Sequence, residues 1–208
     1  VGMPKGSPEL TASRKEEIIN ACEKLYQTMS FKEITLKEIS VETSFSRPSI
    51  YNYFQTKEEI FLAIMQREYE LWADEINTVA EKNDTMNAEG FADVLALSLE
   101  KHEKLLKLLA MNHYDMEENS RPERLTEFKS AYGASLDAVR NCLRKFFPDT
   151  DTESFIFVFF PFLFGVYPYS VATEKQLQAM REANMDFKMH SIYEIIHSCV
   201  MQLLGGKL

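Results

Sequence analysis

Cysteine is scarce and odd in number, three residues in 208, and Cys22, Cys142 and Cys199 lie far apart among apolar neighbours. That distribution argues against a disulfide framework and predicts buried thiols in a reducing, cytoplasmic setting, with a redox switch as the functional alternative. Strand-type alternation of apolar residues is nearly absent, as are internal repeats and low-complexity tracts. Catalytic signatures are missing too: there is no HExxH, GxSxG, phosphate loop or pair of catalytic carboxylates, and His113-Tyr114-Asp115 alone does not make a catalytic constellation. An enzyme is therefore not expected, and neither is a cofactor. No compact ligand cluster supports a metal site. At the start, Val1 and Gly2 before Met3 read as a tag remnant, without the charged-then-apolar plan of a signal peptide.

A basic surplus is lacking as well. The net charge is −9 and the pI about 5.1, so this is no bulk polycation for nucleic acid. The charge is unevenly spread, however. Residues 1–57 carry 8 Lys and Arg against 7 Asp and Glu, a net of +1, and the rest of the chain carries −10. Any anionic partner is thus expected at the N-terminal end, where Lys5, Arg14 and Lys15 have two readings, a short basic arm that adds phosphate contacts or a disordered start, the second favoured for Lys5.

What the chain does have is helical periodicity throughout, which predicts an all-α protein. Residues 35–61 read as two short helices, a tight turn and a third helix start. Thr35 with Glu38, and Thr56 with Glu59, match the reciprocal capping pattern in which a hydroxyl and a carboxylate satisfy unpaired backbone N–H groups. Leu36, Ile39 and Thr43 share one face, and Ile50 and Phe54 another. Ser46 stands as an N-cap, and Pro48 falls in the first turn, where its missing N–H does little harm. A recognition helix is expected over about 47–53, the plan of a helix-turn-helix DNA reader.

These residues resemble the TetR family of one-component transcription regulators position by position. The family pattern, roughly T-x-x-x-I-A-x-x-A-G-V-S-x-x-T-x-Y-x-Y-F-x-x-K-x-x-L, appears here as Thr35, Ile39, Ser46, Ser49, Tyr51, Tyr53, Phe54, Lys57 and Ile60. Ser40 and Thr43 replace the two alanines, Ser44 the glycine, Phe45 the valine and Ser49 the threonine. Because the glycine usually relieves a positive-φ turn, Ser44 is expected to cost about 1 kcal/mol unless local hydrogen bonds compensate, and it reads as a tolerated variation, since every flanking landmark keeps its spacing. The likeness covers the first third of the chain.

The resemblance implies that Arg47, Pro48 and Tyr51 reach base edges in the major groove and that Thr35, Ser49, Tyr53 and Lys57 sit where phosphates are held, with Ser46 among the DNA-binding candidates. Physical chemistry agrees: Arg suits guanine O6 and N7, Pro48 the thymine methyl, and hydroxyls and ammonium groups the phosphate oxygens. Asn52 has two readings, an adenine contact or a solvent-facing side chain. Tyr51 and Tyr53 also have two, base or phosphate contacts or packing residues with wet hydroxyls.

Helix 1 is expected to start near Ser13, paired with Glu16, and to bury Ile18, Cys22, Leu25, Tyr26 and Met29, with Phe31 closing that small core. Helix 4, about 56–81, carries Phe61, Met65, Tyr69, Trp72, Ile76 and Val79 along one seam and connects an N-terminal domain, 1–55, to a larger C-terminal domain, 56–208. Further helices are expected at about 88–111, 121–146, 151–171 and 186–204. Residues 155–172 approach the length of a bilayer span. Pro161, Gly165, Pro168 and the acidic flank favour a helix packed on its own core and on a partner subunit instead. By resemblance, the last two helices form a four-helix homodimer interface, which suits a palindromic double-stranded operator. If the C-terminal body takes an effector that releases DNA, its acidic, aromatic-rich composition suits a small apolar compound, aromatic or cationic, and the resemblance implies a repressor. Candidate lining residues are Trp72, Phe91, His102, Met111, Tyr114, Phe128, Tyr132 and Phe164; the aromatics and Met111 also read as ordinary core, and His102 as a surface residue. His102 and His113 are expected three helical turns apart. The alternative from another class is an all-helical interaction module whose helix-turn-helix does not bind DNA.

Overall fold

The computed structural model describes residues 7–111 and 113–205; Lys5 of the expected basic arm and the Val1 to Met3 start lie outside the described residues. Among the described residues the regular structure is entirely helical: α1 (Pro8–Tyr26), α2 (Leu36–Val41), α3 (Arg47–Ile50), α4 (Lys57–Lys82), α5 (Ala88–Lys101), α6 (Glu103–Leu109), α7 (His113–Glu118), α8 (Pro122–Phe146), α9 (Thr152–Ser170), α10 (Glu174–Glu182) and α11 (Ile192–Gly205). Packing gathers them into two units. The first takes residues up to Arg67 with 113–130, and the second takes 68–111 with 131–205.

In the first unit α1 begins five residues before the expected Ser13. Ser7 is the N-cap, its hydroxyl accepting from the Leu10 N–H at 3.2 Å, and Pro8 follows in the first helical turn. Ile18 and Cys22 from α1, Ile39 from α2, Ile50 and Phe54 from the α3 region and Phe61 from α4 are fully or almost fully buried. Phe31 closes this core as expected, its ring edge-on to Phe61 at 4.8 Å. Arg67 ties α4 to α1 through Glu16 at 3.1 Å, Asn20 at 2.7 Å and Glu23.

In the second unit α11 packs on α5 and α9, and α6 on α9. The α4 seam runs as expected, with Tyr69, Trp72 and Ile76 buried. The single helix expected over 88–111 is broken at His102, which joins α5 to α6. Two short helices, α7 and α10, were not anticipated, and residues 186–191 are not helical. The reciprocal capping box occurs at Thr173 and Gln176, at the start of α10.

The prolines do not interrupt α9, which runs through both Pro161 and Pro168 for 19 residues. Each proline removes one helical hydrogen bond, but neither ends the helix. By length and composition α9 is apolar enough to cross a membrane, although its Phe155, Ile156, Phe159, Phe160, Leu163 and Val166 are buried inside the protein. Its other face keeps Phe157, Val158, Phe164 and Tyr169 exposed. The three thiols are free, and burial pushes Cys22 up to about 12 and Cys142 and Cys199 up to about 11. Cys22 and Cys142 are buried as expected, whereas Cys199 on α11 is only half-buried.

Candidate functional site

The two reading helices are set by side chains that reach back to them. Thr35 caps α2 with its hydroxyl, accepting from the Lys37 N–H at 3.2 Å, and donates to the Glu38 carboxylate. This differs from the expected reciprocal box, because Glu38 bonds the hydroxyl instead of the backbone. The turn after α2 needs no left-handed residue: among the described residues only Asn184 has positive φ. Ser44 therefore carries no such strain. Its N–H and its hydroxyl both donate to the Glu17 carboxylate on α1, an acidic cap that replaces glycine's conformational freedom with hydrogen bonds.

The helix that follows is shorter than expected, spanning Arg47–Ile50, with residues 51–53 continuing as a turn. Ser46 holds the N-cap position in extended backbone, but its hydroxyl meets the Ser49 hydroxyl at 3.2 Å and makes no cap bond to the backbone. Arg47, Pro48, Tyr51 and Asn52 are exposed, as are Ser46 and Thr35. The Arg47 guanidinium donates to the Tyr51 hydroxyl at 3.1 Å and lies over its ring at 5.9 Å. These two side chains thus form one cationic, planar and donor-rich surface, a suitable shape for the edge of a guanine.

Tyr53 and Lys57 are built differently. Tyr53 is buried; its hydroxyl accepts from Arg14 at 3.1 Å and its carbonyl from Arg121 at 3.0 Å. The Lys57 ammonium donates to the carbonyls of Phe31 at 2.6 Å and Ile34 at 3.1 Å and sits 4.1 Å from the centre of the Phe31 ring. Two of its three N–H donors are therefore spent inside the head.

Below them sits a carboxylate that the spacing had marked only as a cap. Glu59 is completely buried. It accepts from the Gln55 N–H at 2.8 Å, the Arg121 N–H at 3.0 Å, and the Arg121 guanidinium at 2.7 and 2.8 Å. Burial pushes its carboxyl up, but the Arg121 and backbone hydrogen bonds outweigh burial and hold it below the ordinary carboxylate value. Thr56 gives one half of the expected cap, accepting from the Glu59 N–H at 3.2 Å, and donates its hydroxyl to the Asn119 carbonyl at 2.9 Å. Arg121 carries no local sequence signal that identifies it as this partner.

The residues expected to line an effector site are dispersed. Trp72 is buried, donating to Ser98 Oγ at 3.1 Å, and its ring and that of Tyr132 both pack on Phe160, at 5.9 and 5.8 Å. Phe91 is buried among Phe146, Phe147 and Phe155. Met111 is half-buried and Phe164 is exposed. Tyr114, also exposed, and Phe128, buried, belong to the first unit. The chain between His102 and His113 is not one helix, so the expected three-turn register between them does not exist.

His102 instead sits in an ionic knot within the second unit. Its ring nitrogens face Glu68 at 3.4 Å and Glu75 at 3.3 Å, while Lys104 pairs with Glu68 at 2.8 Å and Lys101 with Glu75 at 2.7 Å. The Glu68 carboxylate raises the His102 pKa above its ordinary value, against burial, and Glu75 adds to the effect. The same unit holds a cavity of about 360 Å³ lined by Phe162, Val166, Tyr169, Phe187, Lys188, His190 and Ile195 among others. None of the eight expected residues lines it.

Residues 18–64 match the family profile described as bacterial regulatory proteins, tetR family, and residues 66–201 match the tetracyclin repressor-like C-terminal domain. An uncharacterized HTH-type transcriptional regulator, YfiR of Bacillus subtilis, is 33% identical over 63 residues, 30% of this chain and about a third (31%) of that protein's length. Among solved structures, the fatty acid degradation regulator FadR of Bacillus halodurans has a TM-score of 0.60 at 16% identity, with 98% of each chain covered. FadR of Thermus thermophilus, solved with lauroyl-CoA, gives 0.59 at 19% identity, covering 94% of this chain and 95% of that one. FadR of Bacillus subtilis, solved with stearoyl-CoA, gives 0.55 at 16% identity over 93% and 99%. At such identities these likenesses establish the fold.

Proposed function

The chain belongs to the TetR family of transcriptional regulators, DNA-binding and non-enzymatic, and from that membership we propose a ligand-released repressor that grips a palindromic operator as a homodimer. The observation that carries the reading is the exposed Arg47–Tyr51 pair, which spans α3 from its first residue to the one just past its end. It projects from a head otherwise tied down by Glu17, Lys57 and the Glu59–Arg121 contact. In this proposal Arg47, Pro48, Tyr51 and Asn52 face base edges, and Thr35, Ser46 and Ser49 hold phosphates through their hydroxyls. Tyr53 and Lys57 act chiefly by positioning, with one ammonium N–H left for a phosphate.

Dimerisation is assigned to α9 and α11. Phe157, Pro161, Phe164 and Pro168 fall on one exposed α9 stripe at helical spacing, apolar surface that a second copy would cover. Two-fold pairing then presents two α3 helices to half-sites one helical turn apart.

The effector is assigned to the second unit. A long-chain acyl thioester is the first class to test, because an apolar cavity that also contains Lys188 and His190 suits an apolar tail with an anionic head. The FadR structures solved with stearoyl-CoA and lauroyl-CoA share the fold. The ligand would act by preferring a dimer whose heads no longer match the operator spacing. Selection of bound genomic fragments by wild type and by Arg47→Ala tests the reading. A recurrent palindrome enriched only by wild type, and released by acyl-CoA without dissociation of the dimer, is the expected result. A folded dimer that enriches nothing at low salt would sink it.

A further inference from the structure

Glu89 and Asp93 lie one turn apart on α5, and His197 on α11 faces both. Its Nε2 is 3.3 Å from a Glu89 oxygen and 3.5 Å from an Asp93 oxygen. The three donor atoms lie within 4.8 Å of one another. Two further facts set this group apart from an ordinary surface ion pair. His197 Nε2 is shut off from solvent, yet it makes no hydrogen bond, even with two carboxylates in reach. A buried imidazole nitrogen without a partner is costly and calls for an explanation. In addition, the Tyr193 hydroxyl donates to Asp93 at 2.5 Å and its ring stacks on His197 at 5.3 Å, so two of the three donors are already oriented.

From this geometry we infer that Glu89, Asp93 and His197 form a site for a divalent transition-metal ion of the zinc class, pinning α11 to α5. With metal–ligand bonds of about 2.1 Å, a tetrahedral ion sets neighbouring donors about 3.4 Å apart. Both distances from Nε2 already fall there. A metal accounts for the arrangement: neutral imidazole in its Nδ1–H tautomer would donate the Nε2 lone pair to the ion, and two carboxylates would balance its two charges. One nitrogen and two oxygens suit zinc, nickel or cobalt better than calcium or magnesium, which favour all-oxygen shells. Three protein ligands leave a fourth position for water or another ligand. Tyr193 is the outer partner that fixes the Asp93 carboxylate, a kind of contact whose loss typically weakens metal affinity by about 10–100-fold. The site does not depend on DNA binding, so its failure and the failure of the regulatory reading are separable.

The test is zinc chloride titration of the tag-free full-length protein against a chromophoric chelator, with thermal melting in parallel. One zinc per chain is expected, together with a rise in Tm. Glu89→Gln, at an exposed position that cannot unfold the protein, should weaken binding at least about 10-fold and abolish the rise, and Tyr193→Phe should weaken it by about the same factor. Cys199→Ser should bind as wild type does, which separates this site from thiol coordination. Zinc binding of equal affinity in wild type, Glu89→Gln and His197→Gln would place any ion elsewhere and overturn the assignment. So would the absence of saturable binding, which would leave a simple His197 ion pair.

Discussion

The Glu59 carboxylate is completely enclosed, and the Arg121 guanidinium closes it with Nε 2.7 Å from one oxygen and Nη2 2.8 Å from the other. The same arginine bonds the Tyr53 carbonyl, so one side chain holds the end of the recognition segment and the base of α4 together. A bidentate guanidinium fork is what that geometry requires, and lysine cannot supply it.

Arg121→Ala should therefore destabilise the protein by about 3 kcal/mol, because it strands a buried carboxylate. The loss is read by urea unfolding at neutral pH. The pH dependence has a definite sign. Glu59 titrates below its ordinary value of 4.5 in the folded state, so its contribution is present above that value and disappears as pH falls through the lower folded pKa. The gap between wild type and Arg121→Ala should narrow in acid. A gap that stays constant from pH 7 to well below 4.5, through the folded pKa, would show that the lost contact is packing and not charge.

Arg47→Ala should leave the melting temperature unchanged, since the side chain is exposed and its guanidinium bonds another exposed side chain, Tyr51. Operator affinity should fall by roughly 1–3 kcal/mol per half-site, and specificity should relax at one base pair of each half-site. Measured by fluorescence anisotropy on operator variants, a loss that is the same for every sequence would reassign Arg47 to a phosphate.

These two arginines mark what was legible in the chain. Arg47 was readable because the helix-turn-helix is local: caps, Pro48 and apolar spacing all lie within a few residues of it. Arg121 was not, since its partner lies 62 residues away and nothing beside it signals a buried acid. Ser44 follows the same rule. Its replacement of glycine suggests strain, but the turn has no positive φ, and the carboxylate that takes up its N–H and hydroxyl, Glu17, lies 27 residues upstream. The break at His102 has no proline or glycine to announce it; the ring there meets Glu68 and Glu75 from a different helix. The α1 start at Ser7-Pro8 and the Thr173–Gln176 box were, by contrast, ordinary local signals.

His102 should make the second unit sensitive to alkali. Glu68 and Glu75 raise its folded pKa above the ordinary 6.5, so the stabilisation is complete below 6.5 and is lost as pH rises through the folded value. Lys104 and Lys101 bind the same two carboxylates, so they moderate the loss without reversing it. Wild-type Tm should decline above pH 6.5 more steeply than that of His102→Gln, which cannot take up the proton. Parallel declines would exclude His102 as the titrating group.

The exposed α9 stripe gives the clearest test of assembly. Phe157 is 81% exposed on a helix whose opposite face is core, an arrangement that water tolerates poorly over several turns. If a second copy covers it, Phe157→Glu places a charge at the seam on both subunits at once, because a two-fold interface repeats every change. Like charges without partners should then split the dimer in light scattering while circular dichroism stays helical. Operator affinity should collapse with it, since a single head reaches only one half-site and loses the linked second contact. Leu71→Glu is the matched control: Leu71 is 51% exposed on a different helix, α4, and the same added charge should leave the dimer intact. Dissociation in both variants would indicate a general effect of acidity on this already acidic chain, and dissociation in neither would move the interface off α9.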